Sequence, residues 1–270
     1  MPEIPEMEVY KKQLTDTIIH KKIIGIAINR EKALNVEPET FRDLVNDQLI
    51  VYVSRRGKHL IITLGNGYYL VVHLMLGGRI YLAQHQEKVK ARGSIIFEFG
   101  DGTKLYFINL RLGWLHVYTQ QEMDDQFAKL GPEPLGQFFT RQILNNKLAK
   151  KRATIKPLLT DQGFIAGIGN CYSDEILFNA GIRPERKANE LNPGEVNQLF
   201  LAIPNTLNEA ISHGGYMDKP FSLNDHLTGG YNYHMQVYDR EDEPCYRCSD
   251  LVKLTTLSGK KSFYCPTCQQ

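Results

Sequence analysis

The sequence predicts an α+β protein of two domains: a helix-decorated β domain, then a helical domain that ends in a small cysteine-bearing appendage. Three observations carry this reading. Residues 23–119 contain short apolar runs separated by glycine-containing turns, the spacing of an antiparallel sandwich or barrel rather than a parallel sheet. The proline- and glycine-rich stretch "LGPEPLG" at 130–136 breaks that texture. Beyond it, apolar residues recur at helical spacing until about residue 236, where short strands and turns return. A chain of 270 residues has room for two domains of the usual ~100–150 residues. The boundaries expected are 1–129 for the β domain, 130–136 for a linker, 137–235 for the helical domain and 236–270 for the appendage.

The first element is a helix over about 5–20. Pro5 sits where a helix tolerates proline best, and Glu6 and Glu8 in the first turn suit the helix dipole. Met7, Tyr10, Leu14 and Ile18 follow at helical spacing. Pro2 and Glu3 therefore lie just ahead of a helix N-terminus. "HLIITLGNGYYLVVHLML" reads as two strands joined at Gly65-Asn66-Gly67, and "SIIFEFGDGTKLYFI" repeats the arrangement at Gly100-Asp101-Gly102. Helices are expected at roughly 137–149, 154–160, 170–180 and 193–213.

The longest nearly apolar run, "YYLVVHLML", contains a histidine and is far shorter than the ~20 residues that cross a bilayer. Acids and lysines interrupt the first residues, so no signal-peptide core is read there, and a cytosolic protein with no membrane partner is expected. A net charge of +2 says little about partners, whereas its distribution says more. Basic residues gather in "SRRGKH" (54–59), "KVKAR" (88–92), "KLAKKR" (147–152) and "GKKS" (259–262). Each alone is an ordinary solvated face; four together could converge to follow a phosphate backbone.

Cys245-x2-Cys248-x16-Cys265-x2-Cys268 is the strongest local signal. Two Cys-x2-Cys knuckles offer tetrahedral zinc the four thiolates it needs from two facing turns. The intervening segment alternates like a β-hairpin turning near Ser258-Gly259. One structural zinc ion is expected, because four protein ligands leave no open position. Disulfides are the less favoured alternative in a cytosolic chain. A second informative stretch is "DQGFIAGIGNCYSDEILFNAGIRP" (161–184), where Gly167-Ile168-Gly169-Asn170 offers backbone N–H groups and an amide at a helix start. That equipment suits a phosphate, and a tight interhelical turn would explain it as well.

Together these motifs resemble the formamidopyrimidine-DNA glycosylase / endonuclease VIII family. The resemblance rests on "PEIPE" (2–6), "RRGKHL" (55–60), "LGPEPL" (130–135), "DQGFIAGIGNCYSDEILFNAGI" (161–182) and "QVYDREDEPC" (236–245) leading into the four cysteines. It covers essentially the whole chain, in order. It implies an N-terminal β-sandwich flanked by helices, then a helix–two-turn–helix domain with a β-hairpin zinc finger. It also implies a monomer of the bacterial cytoplasm that acts on double-stranded DNA holding a damaged base or an abasic site.

In this family the amine of the residue after the initiator methionine attacks C1′ of a damaged nucleotide, a role that falls on Pro2. A retained Met1 would leave that nitrogen acylated, so Met1 must be removed. An α-amino group has an unperturbed pKa near ~8, against ~10.4 for lysine, so more of it is neutral and nucleophilic at pH 7. By the same resemblance Glu3 is the general acid–base group, Glu6 the second acid of the site and Lys58 a lysine beside the lesion phosphate. Asn170 and Gly169 match the phosphate-binding turn, with Lys156 a further phosphate contact and Lys260 the cation at the finger tip. The function implied is a bifunctional glycosylase and AP lyase. The alternative is a DNA-binding paralogue with little base excision.

The departures from the family pattern concern void filling and the finger. "HLMLGG" puts Leu76, next to Met75, where a methionine usually fills the void left by the flipped base. Arg111 in "NLRLGW" matches the arginine that reaches the orphaned base, and Leu112 replaces an aromatic wedge. Lys260 stands where an arginine is usual, keeping the charge without the bidentate fork. The stretch 214–233, where the loop covering the extruded base varies among family members, is not assignable to one lesion.

Overall fold

The computed structural model describes residues 1–270, which cluster into two units: Met1–Ala128 with His213–Gly230, and Lys129–Ser212 with Tyr231–Gln270. No helix is long and apolar enough to cross a membrane.

The first unit opens with α1 (Ile4–Ile18), whose Met7, Tyr10, Leu14 and Ile18 are buried as their spacing requires. The strands that follow are β1 (Ile23–Ile28), β2 (Ile50–Arg56), β3 (His59–Leu64), β4 (Tyr69–His73), β5 (Arg79–Ala83), β6 (Gly93–Phe99), β7 (Lys104–Ile108) and β8 (Trp114–Tyr118). They form two antiparallel four-stranded sheets, ordered β1-β6-β7-β5 and β2-β3-β4-β8. One core lies between them. Leu60, Ile62, Leu70, Val72, Leu115 and Val117 from one sheet meet Ile95, Phe97, Leu105 and Phe107 from the other, and α1 adds to the same cluster. Both expected hairpins form: β3 pairs β4 around Gly65–Gly67, and β6 pairs β7 around Gly100–Gly102.

The β texture of 23–119 is interrupted by a single 3-10 turn at Glu31–Ala33 and by α2 (Pro38–Val45). Pro38 takes the first helical turn, and Phe41 and Val45, four apart, bury into the core. A further helix, α3 (Gln120–Phe127), has no buried residue and is held at its start by Thr119 and Glu122, a reciprocal capping box.

Residues 213–230 fall with the first unit, not with the 137–235 stretch to which the sequence assigned them. Phe221 is the physical reason. Its side chain is 2% exposed within the sandwich core, and its carbonyl accepts from the Leu82 N–H at 2.7 Å.

The second unit holds α4 (Arg141–Ala149), α5 (Ile155–Leu159), α6 (Asn170–Ala180) and α7 (Pro193–Ser212). The first starts four residues later than expected, where the Thr140 hydroxyl accepts from the Ile143 N–H. In α6 every residue from Cys171 to Phe178 is buried, and Gly181 ends the helix at φ 71°, the left-handed cap glycine permits. The hairpin of β9 (Lys253–Leu257) and β10 (Lys260–Tyr264) turns at Ser258-Gly259 as read. Phe263 and Val252 of the finger region pack with Phe178 of α6 in a small core of their own.

Candidate active site and nucleic-acid interface

In the first unit, Glu3 is the N-cap of α1 and Pro2 precedes it. The Glu3 N–H donates to Glu6 Oε2 at 2.8 Å, and Glu6 Oε1 accepts from the Tyr216 N–H at 2.9 Å. Both carboxylates are buried, Glu3 at 2% and Glu6 at 3% exposure, which is unusual for acids and marks the helix start as a built site. The Tyr216 hydroxyl also lies within 3.2 Å of the Met1 nitrogen.

Lys58 lies at the β2–β3 turn, where Gly57 has φ 56°. It too is buried, at 5% exposure. His59 and His73 face each other across β3 and β4 with ring centroids 4.3 Å apart. Burial, with the neighbouring His73 and the Arg56 and Lys58 cations, pushes His59 down to about 3; burial and Lys58 push His73 down to about 4. Both rings are neutral at pH 7, which leaves Arg56 and Lys58 as the cations beside them.

Leu76 and Leu112 are on different loops, β4–β5 and β7–β8, yet these loops are tied together. Asn109 Nδ2 donates to the Gly77 carbonyl at 3.0 Å, and Arg30 braces the second loop through the carbonyls of Leu110 and Arg111. Leu76 and Leu112 are 61% and 60% exposed on those two loops, and the Arg111 side chain is exposed beside Leu112. The three predicted void-filling positions thus share one pair of coupled loops.

In the second unit Gln162 shapes the 163–169 turn, with its Oε1 accepting from the Gly167 N–H and its Nε2 donating to the Ile168 carbonyl, each at 2.8 Å. Gly169 is the N-cap of α6. Asn170 begins the helix, and its Oδ1 is buried without a hydrogen-bond partner. A buried acceptor left without a donor is costly; the Nδ2 end of the same amide is the donor that suits a phosphate.

Lys156 requires a correction. As a direct phosphate contact it fails on burial: it is 0% exposed, with Nζ 2.5 Å from Asp174 Oδ1 and 3.0 Å from the Asn170 carbonyl. Its charge neutralises a buried carboxylate and holds the first turn of α6. Lys260 at the finger tip is exposed and donates to Thr160 Oγ1 at 2.9 Å.

The four cysteines converge, with all their sulfurs within 4.8 Å of one another. Cys248 and Cys265 lie 3.4 Å apart and Cys245 and Cys268 3.8 Å, much longer than the ~2.05 Å of a disulfide. Tetrahedral Zn–S bonds of ~2.3 Å put sulfurs about 3.8 Å apart, so the residues fit that ion. The Arg247 and Cys268 N–H groups donate to Cys245 and Cys265 sulfurs at 3.4 Å, the support thiolates need in such knuckles. The cluster can hold a metal ion.

Sequence reasoning missed Tyr216 and the His59–His73 pair. The Gly214-Gly215 dipeptide signals a tight turn before Tyr216, but nothing local connects that turn with Glu6, more than 200 residues away in the chain.

The comparisons with known proteins agree with this geometry. Residues 1–114 match the formamidopyrimidine-DNA glycosylase N-terminal domain, and residues 130–220 match the formamidopyrimidine-DNA glycosylase H2TH domain. The chain is 38% identical to the formamidopyrimidine-DNA glycosylase of Pelotomaculum thermopropionicum, across 100% of this chain and 99% of that one. It is 36% identical to the one from Halalkalibacterium halodurans, across 100% of both. Among solved structures, the Lactococcus lactis Fpg in complex with DNA containing an abasic site superposes with TM-score 0.92 at 30% identity, covering 99% of each chain. The same enzyme with an N7-benzyl-Fapy-dG DNA gives TM-score 0.92 across 100% of both chains. Two family models matching residues 1–114 and 130–220, with relatives 36–38% identical across the whole chain, show that the chain belongs to the formamidopyrimidine-DNA glycosylase family.

Proposed function

We infer that the protein is a bifunctional DNA glycosylase and AP lyase of base excision repair, acting as a monomer in the bacterial cytoplasm. Its substrate class is duplex DNA containing an oxidised or ring-opened base, or an abasic site. The observation that carries this reading is the pair of buried carboxylates, Glu3 and Glu6, at the start of α1 immediately after Pro2 in the chain. The two side chains also form a reciprocal capping box for α1, which by itself accounts for their place at the helix start; their near-complete burial and the resemblance to the family's acids support the catalytic reading.

With Met1 removed, the Pro2 amine attacks C1′ and the C1′–N bond to the damaged base breaks. Glu3 protonates the deoxyribose ring oxygen as the sugar opens. The nitrogen's proton passes to the departing base, and the freed lone pair closes to an iminium with C1′ as the C1′–O4′ bond breaks. That electron sink permits β-elimination of the 3′ phosphate and then δ-elimination of the 5′ phosphate. Glu6, held by the N–H groups of Glu3 and Tyr216, fixes the local backbone. Lys58 neutralises a phosphate near the reacting sugar, and Asn170, Gly169 and Lys260 hold phosphates of the same duplex. Lys156 acts through α6. Leu76, Arg111 and Leu112 enter the space vacated by the flipped nucleotide, and flipping costs a few kcal/mol that the phosphate contacts offset. One zinc ion, held by Cys245, Cys248, Cys265 and Cys268, keeps the finger folded and takes no part in the reaction.

Borohydride trapping on duplexes carrying an abasic site or one of several oxidised bases tests this reading. A covalent adduct mapped to Pro2 is expected, with Pro2→Gly abolishing it while affinity stays within a few-fold. Binding without any adduct would instead favour a DNA-binding paralogue.

A further inference from the structure

The loop 213–230 has a second relation to the N-terminus, one the catalytic reading above does not use. The Tyr216 hydroxyl is bonded to both ends of Met1: it accepts from the Met1 nitrogen at 3.2 Å and donates to the Met1 carbonyl oxygen at 2.9 Å. The residue is not free to wander. Its N–H is held by Glu6 Oε1 at 2.9 Å, and the same carboxylate takes the Glu3 N–H at 2.8 Å on its other oxygen. Just before it, Gly214 and Gly215 have φ of 78° and 67°. A Cβ on Gly214 would collide with the Leu227 carbonyl, and one on Gly215 with Glu6 Oε1. The turn is therefore pressed against Glu6, and the phenol is aimed by it.

The carbonyl oxygen that Tyr216 touches is two bonds from the Pro2 nitrogen, about 2.3 Å away by standard peptide dimensions. Removing Met1 deletes that carbonyl and turns the nitrogen from an acylated, donorless amide into a secondary amine with one N–H and one lone pair. The hydroxyl, both donor and acceptor, then faces a new partner where the carbonyl stood. We propose that Tyr216 is a positioning residue for the nucleophile: its hydroxyl oxygen accepts the Pro2 N–H and so directs the nitrogen lone pair toward the incoming C1′. A flexible chain terminus otherwise samples many orientations, and fixing a reacting atom is among the larger contributions a protein makes to rate. The inference rests on the reading of Pro2 as the nucleophile.

Tyr216→Phe keeps the ring and its packing and removes only the oxygen. The test is single-turnover borohydride trapping on an abasic duplex, with rates expressed per mole of protein lacking Met1 as counted by intact mass. Equilibrium affinity for the same duplex is measured alongside. The wild-type adduct mapping to Pro2, a trapping rate about tenfold lower in Tyr216→Phe and unchanged affinity are the expected results. Equal trapping rates, or a loss of rate matched by a loss of affinity, would overturn the role of Tyr216 while leaving Pro2 in place. No wild-type adduct at Pro2 would overturn both.

Discussion

Asp174 and Lys156 form an ion pair of 2.5 Å with both side chains essentially out of solvent. Asp174 also accepts from the Ser262 hydroxyl at 2.7 Å and the Phe263 N–H at 3.1 Å, so one carboxylate joins α5, α6 and the finger hairpin. Burial pushes its pKa up to about 6 even though Lys156, Ser262 and Phe263 pull it down. Removing one partner of a buried pair is far worse than removing both. Lys156→Met is expected to cost about 3–5 kcal/mol of unfolding free energy in urea titrations. Adding Asp174→Asn should recover a substantial part. Because the folded pKa is raised above 3.8, the stability tied to Asp174 is present at low pH and declines as pH rises from about 4 through about 6. In Lys156→Met the decline should extend to higher pH, making the deficit larger at pH 8 than at pH 5.

The His59–His73 pair runs in the opposite direction. Both rings titrate far below the usual 6.5, at about 3 and about 4, so the unfolded chain takes protons that the fold refuses. Their contribution is intact above pH 6.5 and fades as pH falls toward 4. Trp114, the single tryptophan, stacks on His116 at 4.1 Å and lies 5.6 Å from His73, so its fluorescence reports this region during unfolding. His73→Gln should flatten the pH dependence of the midpoint between 6.5 and 4. An unchanged slope would mean these rings are protonated in the fold.

Stripping the metal from the finger is expected to unfold β9 and β10 and leave the first unit folded. Limited proteolysis after chelation should cut within 245–268 while Trp114 fluorescence stays native. Cys265→Ser should behave like the chelated protein, since three thiolates do not close a tetrahedral structural site.

Lys260 is exposed and makes one hydrogen bond, to Thr160. Lys260→Ala should weaken binding to abasic duplexes of any sequence about equally and lower the salt slope by about 1. Lys260→Arg should restore the slope and tighten binding a few-fold, since the guanidinium can grip a phosphate with two parallel bonds.

Most of the architecture was legible because it is periodic. The 3.6-residue recurrence of Met7, Tyr10, Leu14 and Ile18 fixed α1, and glycine turns fixed two hairpins. What escaped has physical causes. The short helix α2 rests on two buried residues, Phe41 and Val45, and α3 on a cap alone, so neither leaves a long pattern. The membership of 213–230 depends on Phe221 entering a core built a hundred residues earlier, which no local rule reveals. Among site residues, the cysteine spacing spoke for itself. Pro2, Glu3, Lys58 and Asn170 stood out only through the resemblance, because locally they read as helix and turn residues. Lys156 was misjudged since a lysine's burial is set by its partner, and Asp174 is 18 positions away.

The contact of Gly215 with Glu6 sets a rule for redesigning this protein. A side chain at Gly215 displaces the carboxylate that caps α1, and one at Gly214 meets the Leu227 backbone, so this turn needs glycine at both positions. Beyond Met217, which lines a small cavity with Glu6 and Tyr10, the constraint relaxes: Leu223 is 64% exposed, and Asp218 and Lys219 pair with each other at the surface. The loop is thus a replaceable cassette on a fixed mount. Libraries in this loop can rewrite 218–220 and 222–224, provided that Met217, Phe221 and the two glycines are left as they are.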